Sequence, residues 1–221
     1  MSGAQTTTRA ASAQMVAYEW LKQHISSIPR TDSVFLSESE IAAATQTSRT
    51  PVREALLRLD TEGFVQIIPK RGILVPAISD PEVNAAMEAR QLLEDWCVRR
   101  SAAVAELLVP DLEKLLTEQA GLIDDPRRFI EADRAFHRVI VAQAGNPVVT
   151  GFYESLRERQ VRMGLSALAG TEGRPAVVLD EHRAIVEALR GGDPEAAATA
   201  LRTHLASTLR TLNLLPSHGR R

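Results

Sequence analysis

The chain has 221 residues, long enough for two modest domains that each bury a core. Its 44% hydrophobic and 24% charged residues exclude a disordered chain, and aromatic residues at only 4%, beside abundant Ala and Leu, favour packed helices over sheets. A formal net charge of −2 excludes global attraction to nucleic acid, so any such contact must come from a local basic patch.

Taken in chain order, residues 1–13 (MSGAQTTTRAASA) are small and polar without an apolar centre. They read as a disordered tail, not a secretory signal. A helical period then runs from Gln14 to Ile28 through Val16, Trp20, Leu21 and Ile25, and Pro29 stops it. Two short helices follow, near Ser37 to Ala44 and Ser48 to Glu62. The only convincing strand material is FVQIIPKRGILVPA, whose runs Phe64–Ile68 and Ile73–Val75 flank a PKRG turn and predict a hairpin. Beyond Ala77 the pattern is helical throughout. Asp80-Pro81, Asp125-Pro126, Asn146-Pro147 and Asp193-Pro194 each set a capping side chain before a proline suited to the first helical position. These signals place a small helix-hairpin domain over 14–78, an all-helical bundle of roughly six antiparallel helices over 79–215, and a tail over 216–221. The fold is thus mainly α. The single Cys97 rules out an internal disulfide and suits a reducing compartment. No run nears 18 apolar residues, so no membrane span is expected and the protein reads as cytoplasmic.

In the first domain, TSRTPVREALLRLDTEGFV buries Val52, Leu56 and Leu59 and gathers Arg49, Thr50 and Arg53 near its N-terminal end. The positive end of a helix dipole faces phosphate there, and a guanidinium can donate two hydrogen bonds to guanine O6 and N7. Lys70 and Arg71, beside Gly72 at the hairpin tip, can follow the backbone or enter the minor groove. The plain alternative is a set of solvated surface charges. SRTPVREALLRLDTEGFVQIIPKRGILV resembles the winged helix-turn-helix of the GntR family of bacterial transcription regulators. The resemblance implies that Arg49, Thr50 and Arg53 contact bases and phosphates, with Lys70, Arg71 and Gly72 in the wing. Two departures stand out. Thr45, Gln46 and Thr47 replace the usual Leu-Gly-Val, which sends Gln46 into a turn position that glycine fills with less strain, and the usual Pro-Gly is missing from IPRTDSVFLSES.

In the second domain, FIEADRAFHRVI sets Asp133 and His137 one turn apart. Residues four apart on a helix differ by about 40° in direction, so both share the side of Phe129, Phe136 and Ile140 and point into the bundle. His182 falls within a stripe of Val178, Leu179, Ile185, Val186 and Leu189, and His204 lies towards the apolar side of the last helix. A core histidine is usually just hydrogen-bonded, but one Asp and three imidazoles from three helices also make a donor set for Zn²⁺, Ni²⁺ or a similar divalent ion. Arg90 sits among Val83, Ala86, Leu93 and Cys97, where it either pairs with Glu94 or anchors an anion. His24 and His218 have no assigned role. The bundle looks like the FCD type of ligand domain in the FadR subgroup of GntR regulators. That resemblance implies metal ligands Asp133, His137, His182 and His204 from ADRAFHRVIVAQAGN, DEHRAIVEALRGGD and LRTHL, with zinc first and nickel or manganese as alternatives.

The expectation is therefore a homodimeric repressor, not an enzyme, that reads a near-palindromic double-stranded operator. A small carboxylic acid held by the metal and Arg90 controls its affinity. A metal-dependent hydrolase stays open as an alternative, although no HExxH, nucleophile elbow or phosphate-cradling glycine loop is present; so does a purely structural metal.

Overall fold

The computed structural model describes residues 3–169 and 171–214, with 3–12, 157–160 and 169 described as backbone alone. The chain divides into two compact units, the first ending at Ile78 and the second beginning at Ser79.

The first unit runs α1 (Gly3–Ser27), β1 (Val34–Leu36), α2 (Glu38–Thr45), α3 (Arg49–Thr61), β2 (Gln66–Ile68) and β3 (Gly72–Val75). Helix α1 starts well before Gln14, so residues 3–13 are helical where a disordered tail is expected; Arg9, Ala10, Ala11 and Ala13 are strong helix formers that extend the first turn backwards. Its buried stripe is Ala17, Tyr18, Leu21 and Ile25, continued by Ile28 just past its end; Val16 is exposed and does not belong to it. These side chains close a single core with Ile41 of α2, Val52, Ala55, Leu56 and Leu59 of α3, and Val65, Ile73 and Val75. Each large apolar side chain so buried contributes roughly 1.5–3 kcal/mol.

Helix α2 starts in a capping box, with Glu40 N–H donating to Ser37 Oγ at 3.2 Å and Ser37 N–H to Glu40 Oε2 at 3.0 Å. It ends on Gln46 at φ 52°, the left-handed turn position that the missing glycine implies. Ser48 stands at the N-cap of α3 in extended conformation but makes no capping hydrogen bond. The sheet has the order β1-β3-β2, antiparallel throughout, with Val34 opposite Val75 and Ile68 opposite Gly72. Strand β1 is absent from the sequence-based reading, and β2 starts at Gln66 rather than Phe64 because Gly63, at φ 75°, first turns the chain out of α3. Gly72 is required twice: its φ is 106°, and a Cβ there would meet Leu36 O at 3.0 Å. The end of the unit is clamped to its start. Ile78 N–H donates to Arg30 O at 2.7 Å, the buried Arg30 donates to Ile78 O at 3.2 Å, and Ala77 N–H donates to Ser33 Oγ at 3.0 Å.

The second unit comprises α4 (Asp80–Ala102), α5 (Ala105–Ala120), α6 (Pro126–Gln143), α7 (Pro147–Ala169), α8 (Arg174–Arg190) and α9 (Pro194–Leu214). Asp125, Asn146 and Asp193 cap α6, α7 and α9 by accepting from backbone N–H groups at 2.9–3.3 Å. Asp80 does not cap. Ser79 takes that place in a capping box with Glu82, because its hydroxyl reaches the Glu82 N–H while Asp80 is already helical. The helix α8 opens with Arg174-Pro175 after Gly173, which adopts φ 73°. Helix α4 packs on α9 and α6, α8 on α9 and α5, and α5 also on α6. The expected tail 216–221, with His218, lies outside the described residues.

Candidate metal centre and DNA-reading face

Three helices supply the converging donors of the second unit: Asp133 and His137 from α6, His182 from α8 and His204 from α9. One ligand atom from each lies within 4.8 Å of all the others. The three histidines are buried to 1% exposure or less, and Asp133 to 8%. His137 Nε2 is 3.2 Å from His204 Nε2 and 3.8 Å from Asp133 Oδ1, and His182 Nε2 is 3.4 Å from the same oxygen. Phe136 stacks on the His182 ring with centroids 4.1 Å apart and fixes its plane.

An oxygen stands beside the other nitrogen of each ring, in hydrogen-bond geometry for His182 and His204 and as a close carboxylate without that geometry for His137. His137 Nδ1 lies 2.7 Å from Glu94 Oε2 of α4, His182 Nδ1 2.9 Å from Gln119 Oε1 of α5, and His204 Nδ1 2.9 Å from Glu181 Oε2 of α8. Gln119 is oriented by its own Nε2 donating to Phe129 O at 3.4 Å, so its oxygen faces His182. A neutral imidazole carries one N–H. With that proton on Nδ1 in all three rings, three Nε2 lone pairs and a carboxylate face one another with no hydrogen between them. His182 Nε2 is buried with no hydrogen-bond partner. Such a cluster of acceptors repels itself unless a cation sits among them, so the donor set fits a divalent metal. Burial drives His137 down to about 3 and His182 to about 4, which keeps both rings neutral and able to ligate near pH 7.

Behind the imidazoles run two ion pairs. Arg90 Nε donates to Glu94 Oε1, so the pairing that competes with an anion-binding role is present. On the other side Arg174 donates to Glu181 at 3.3 Å, to Ser207 Oγ at 2.8 Å and to Thr208 Oγ1 at 2.8 Å. Burial pushes the Glu181 carboxyl up, but hydrogen bonds from His204 and Ser207 and the charge of Arg174 outweigh it and hold it below the usual carboxylate value. Burial lifts the Cys97 thiol to about 12, so it stays neutral and apart from the donor set.

Gln119, Glu181 and Arg174 are the residues that sequence reasoning missed. Glu181 stands next to His182, and Arg174 lies two turns before Glu181, the only signals available. Gln119 carries none, since glutamine is usually a surface residue.

In the first unit, Arg49, Thr50 and Arg53 are exposed on the first turns of α3, and Lys70 and Arg71 are exposed at the hairpin tip, with Lys70 at φ 64°. Arg53 Nε contacts both Glu38 oxygens, at 2.9 and 2.8 Å, which ties α3 to the start of α2. His24 stacks on Trp20 with centroids 4.9 Å apart, remote in function from the other histidines.

A three-helix head with a sheet-borne hairpin, followed by an all-helical unit with a buried donor cluster, defines a winged helix-turn-helix protein with a separate helical domain. Residues 13–75 match the bacterial regulatory proteins of the gntR family, and residues 85–207 match the FCD domain. The chain belongs to the GntR family of transcription regulators and has the domain composition of its FadR-like subgroup. An uncharacterized HTH-type transcriptional regulator from an unstable DNA locus of Streptomyces ambofaciens is 32% identical over 208 residues, 91% of this chain and 86% of its own. The HTH-type transcriptional repressor RspR of Escherichia coli K12 is 31% identical over 173 residues, 77% of this chain and 75% of that protein. The structure of E. coli McbR/YncC shares the fold with a TM-score of 0.77 at 20% identity, covering 91% of this chain and 97% of that one. Both sequence relatives are named as HTH-type transcription regulators, and a chain of this family is a regulator and not an enzyme, which removes the hydrolase alternative. No helix among the described residues is long and apolar enough to cross a membrane.

Proposed function

We propose that this regulator is a cytoplasmic homodimeric repressor whose grip on a near-palindromic operator is set by a small carboxylic acid bound at a divalent cation. Asp133, His137, His182 and His204 hold the cation, zinc first by donor type, with nickel or manganese as alternatives. Arg49, Thr50 and Arg53 enter the major groove, while Lys70, Arg71 and Gly72 follow the backbone at the wing. The observation that carries the reading is the acceptor cluster itself: four buried acceptors aimed at one point, each imidazole held from behind by Glu94, Gln119 or Glu181.

Where the ion takes six ligands, the four protein donors would leave positions for an incoming carboxylate. The chain supplies the rest. Arg90 stands behind the Glu94–His137 contact and lines the same cavity as Asp133 and His204, so it can meet the acid's second oxygen. An acid that binds one arrangement of the domains more tightly shifts the population towards it, and with it the spacing of two readers on two half-sites.

One observation favours a second reading, a purely structural cation: the ligands come from three different helices, so the ion would pin the bundle together. Operator titrations at fixed salt separate the two. Under the sensor reading, the as-purified protein binds metal stoichiometrically and its operator affinity changes when a small acid is added. Full metal content with affinity indifferent to every small acid leaves only the structural role, and His182→Ala protein with undiminished metal content removes the site.

A further inference from the structure

The two acidic residues at the start of α2 have different partners. Glu40 closes the capping box with Ser37 and so has its task in the fold. Glu38 takes no part in that cap. It reaches across to α3, where both its oxygens lie against Arg53 Nε, at 2.9 and 2.8 Å. No other hydrogen bond or ion pair engages either side chain among the described residues, so Arg53 Nη1 and Nη2 stay open. Arg49, one turn earlier on the same helix, has no side-chain partner among the described residues.

Folding gains little from the Glu38–Arg53 pair. Its side chains are 31% and 63% exposed, and water competes with an ion pair so placed. Raw affinity for DNA gains nothing either, because a carboxylate sets a negative charge on a guanidinium that would otherwise attract phosphate. What the contact does provide is geometry. A guanidinium can meet guanine O6 and N7 edge-on, through Nε and one Nη, or end-on, through Nη1 and Nη2. Glu38 occupies the first edge and leaves only the second. It also holds a long side chain in place, so less conformational freedom is lost when the helix docks.

We infer that Glu38 is a positioning residue for sequence readout: it withholds Arg53 Nε and presents the Nη1–Nη2 end of the guanidinium to one guanine. This role presupposes that Arg53 enters the major groove, the reading proposed above.

The test uses full-length protein and a duplex enriched by that protein from a random library, beside a scrambled duplex of the same composition. Fluorescence anisotropy at fixed salt gives both affinities. Their ratio is the readout, because a merely structural role would lower both alike. Glu38→Ala should lower the ratio about tenfold through loss of a well-aimed bidentate contact, with affinity for the scrambled duplex the same or higher. Made in an Arg53→Ala background, the same change should leave the ratio unaltered. An unchanged ratio in Glu38→Ala, or an equal fall with Arg53 already replaced, overturns the positioning role and leaves the major-groove reading standing. Arg53→Ala protein that binds the enriched duplex undiminished, or a library that yields no enriched sequence, overturns that reading itself, and the role of Glu38 goes with it.

Discussion

At the head of α3 the arginines stand in solvent, with 63% of the Arg53 side chain exposed and a single ion pair to Glu38; in the helical unit the Arg90 and Arg174 side chains are each only 4% exposed and tied to carboxylates. The same residue type thus does two kinds of work. An exposed guanidinium adds little to folding, because water competes for every bond it makes, so its capacity is kept for a partner. A buried one has already lost its water and depends on its carboxylate. Damage to the first should register in binding alone, and damage to the second in folding.

Removing Glu94 puts that contrast under the greatest strain. Glu94→Ala leaves the Arg90 guanidinium buried without its carboxylate and takes the acceptor from His137 Nδ1, so unfolding free energy should fall by about 3–5 kcal/mol in urea denaturation. A loss no larger than that of a surface pair would mean that water reaches Arg90 and that the contrast is false. In the first unit, Arg49→Ala or Arg53→Ala should lower operator affinity about ten- to a hundredfold at fixed salt if the side chain reads a base, with the urea midpoint unmoved. A shifted midpoint with intact affinity would reverse the roles assigned to the two regions.

The two units also differ in how much of them is legible in the sequence. Helices α4, α6, α7 and α9 announce themselves through a cap and a proline or through long apolar stripes, and the inward side of Asp133, His137, His182 and His204 follows from helical period alone. Strand β1 could not be read. Its three residues, Val34 to Leu36, make sense only against Leu74 and its neighbours about forty positions later. The supports of the candidate metal centre were hidden for a different reason. Gln119 and Arg174 are residue types that normally face water, and only the packing of α5 on α8 and of α8 on α9 takes them inside. Periodicity finds what the core attracts, not the polar groups it needs to orient its own ligands.

Gln119 makes that point measurable. It holds His182 Nδ1 at 2.9 Å from the one α5 side chain that reaches the cluster by hydrogen bond among the described residues. Gln119→Ala should weaken metal binding about ten- to a hundredfold, the usual cost of losing a group that orients a ligand, as measured by competition with a chelator. Unchanged affinity would mean that Phe136 stacking suffices to hold the ring.

The smallest effect lies in the first unit, where Gln46 ends α2 at φ 52° and ψ 36°. A side chain in the left-handed region costs roughly 1–2 kcal/mol, whereas glycine adopts it freely but gives up more freedom on folding. The net for Gln46→Gly is a gain of about 0.5–1 kcal/mol in the stability of the first unit, read as a modest rise in its melting temperature. Gln46 is exposed and precedes the arginines of α3 by at least three positions, so operator affinity should hold while stability rises. If affinity drops as the turn relaxes, then the strained Gln46 backbone is what aims α3 at the groove, and the exposed arginines depend on local conformation as much as the buried ones depend on their carboxylates.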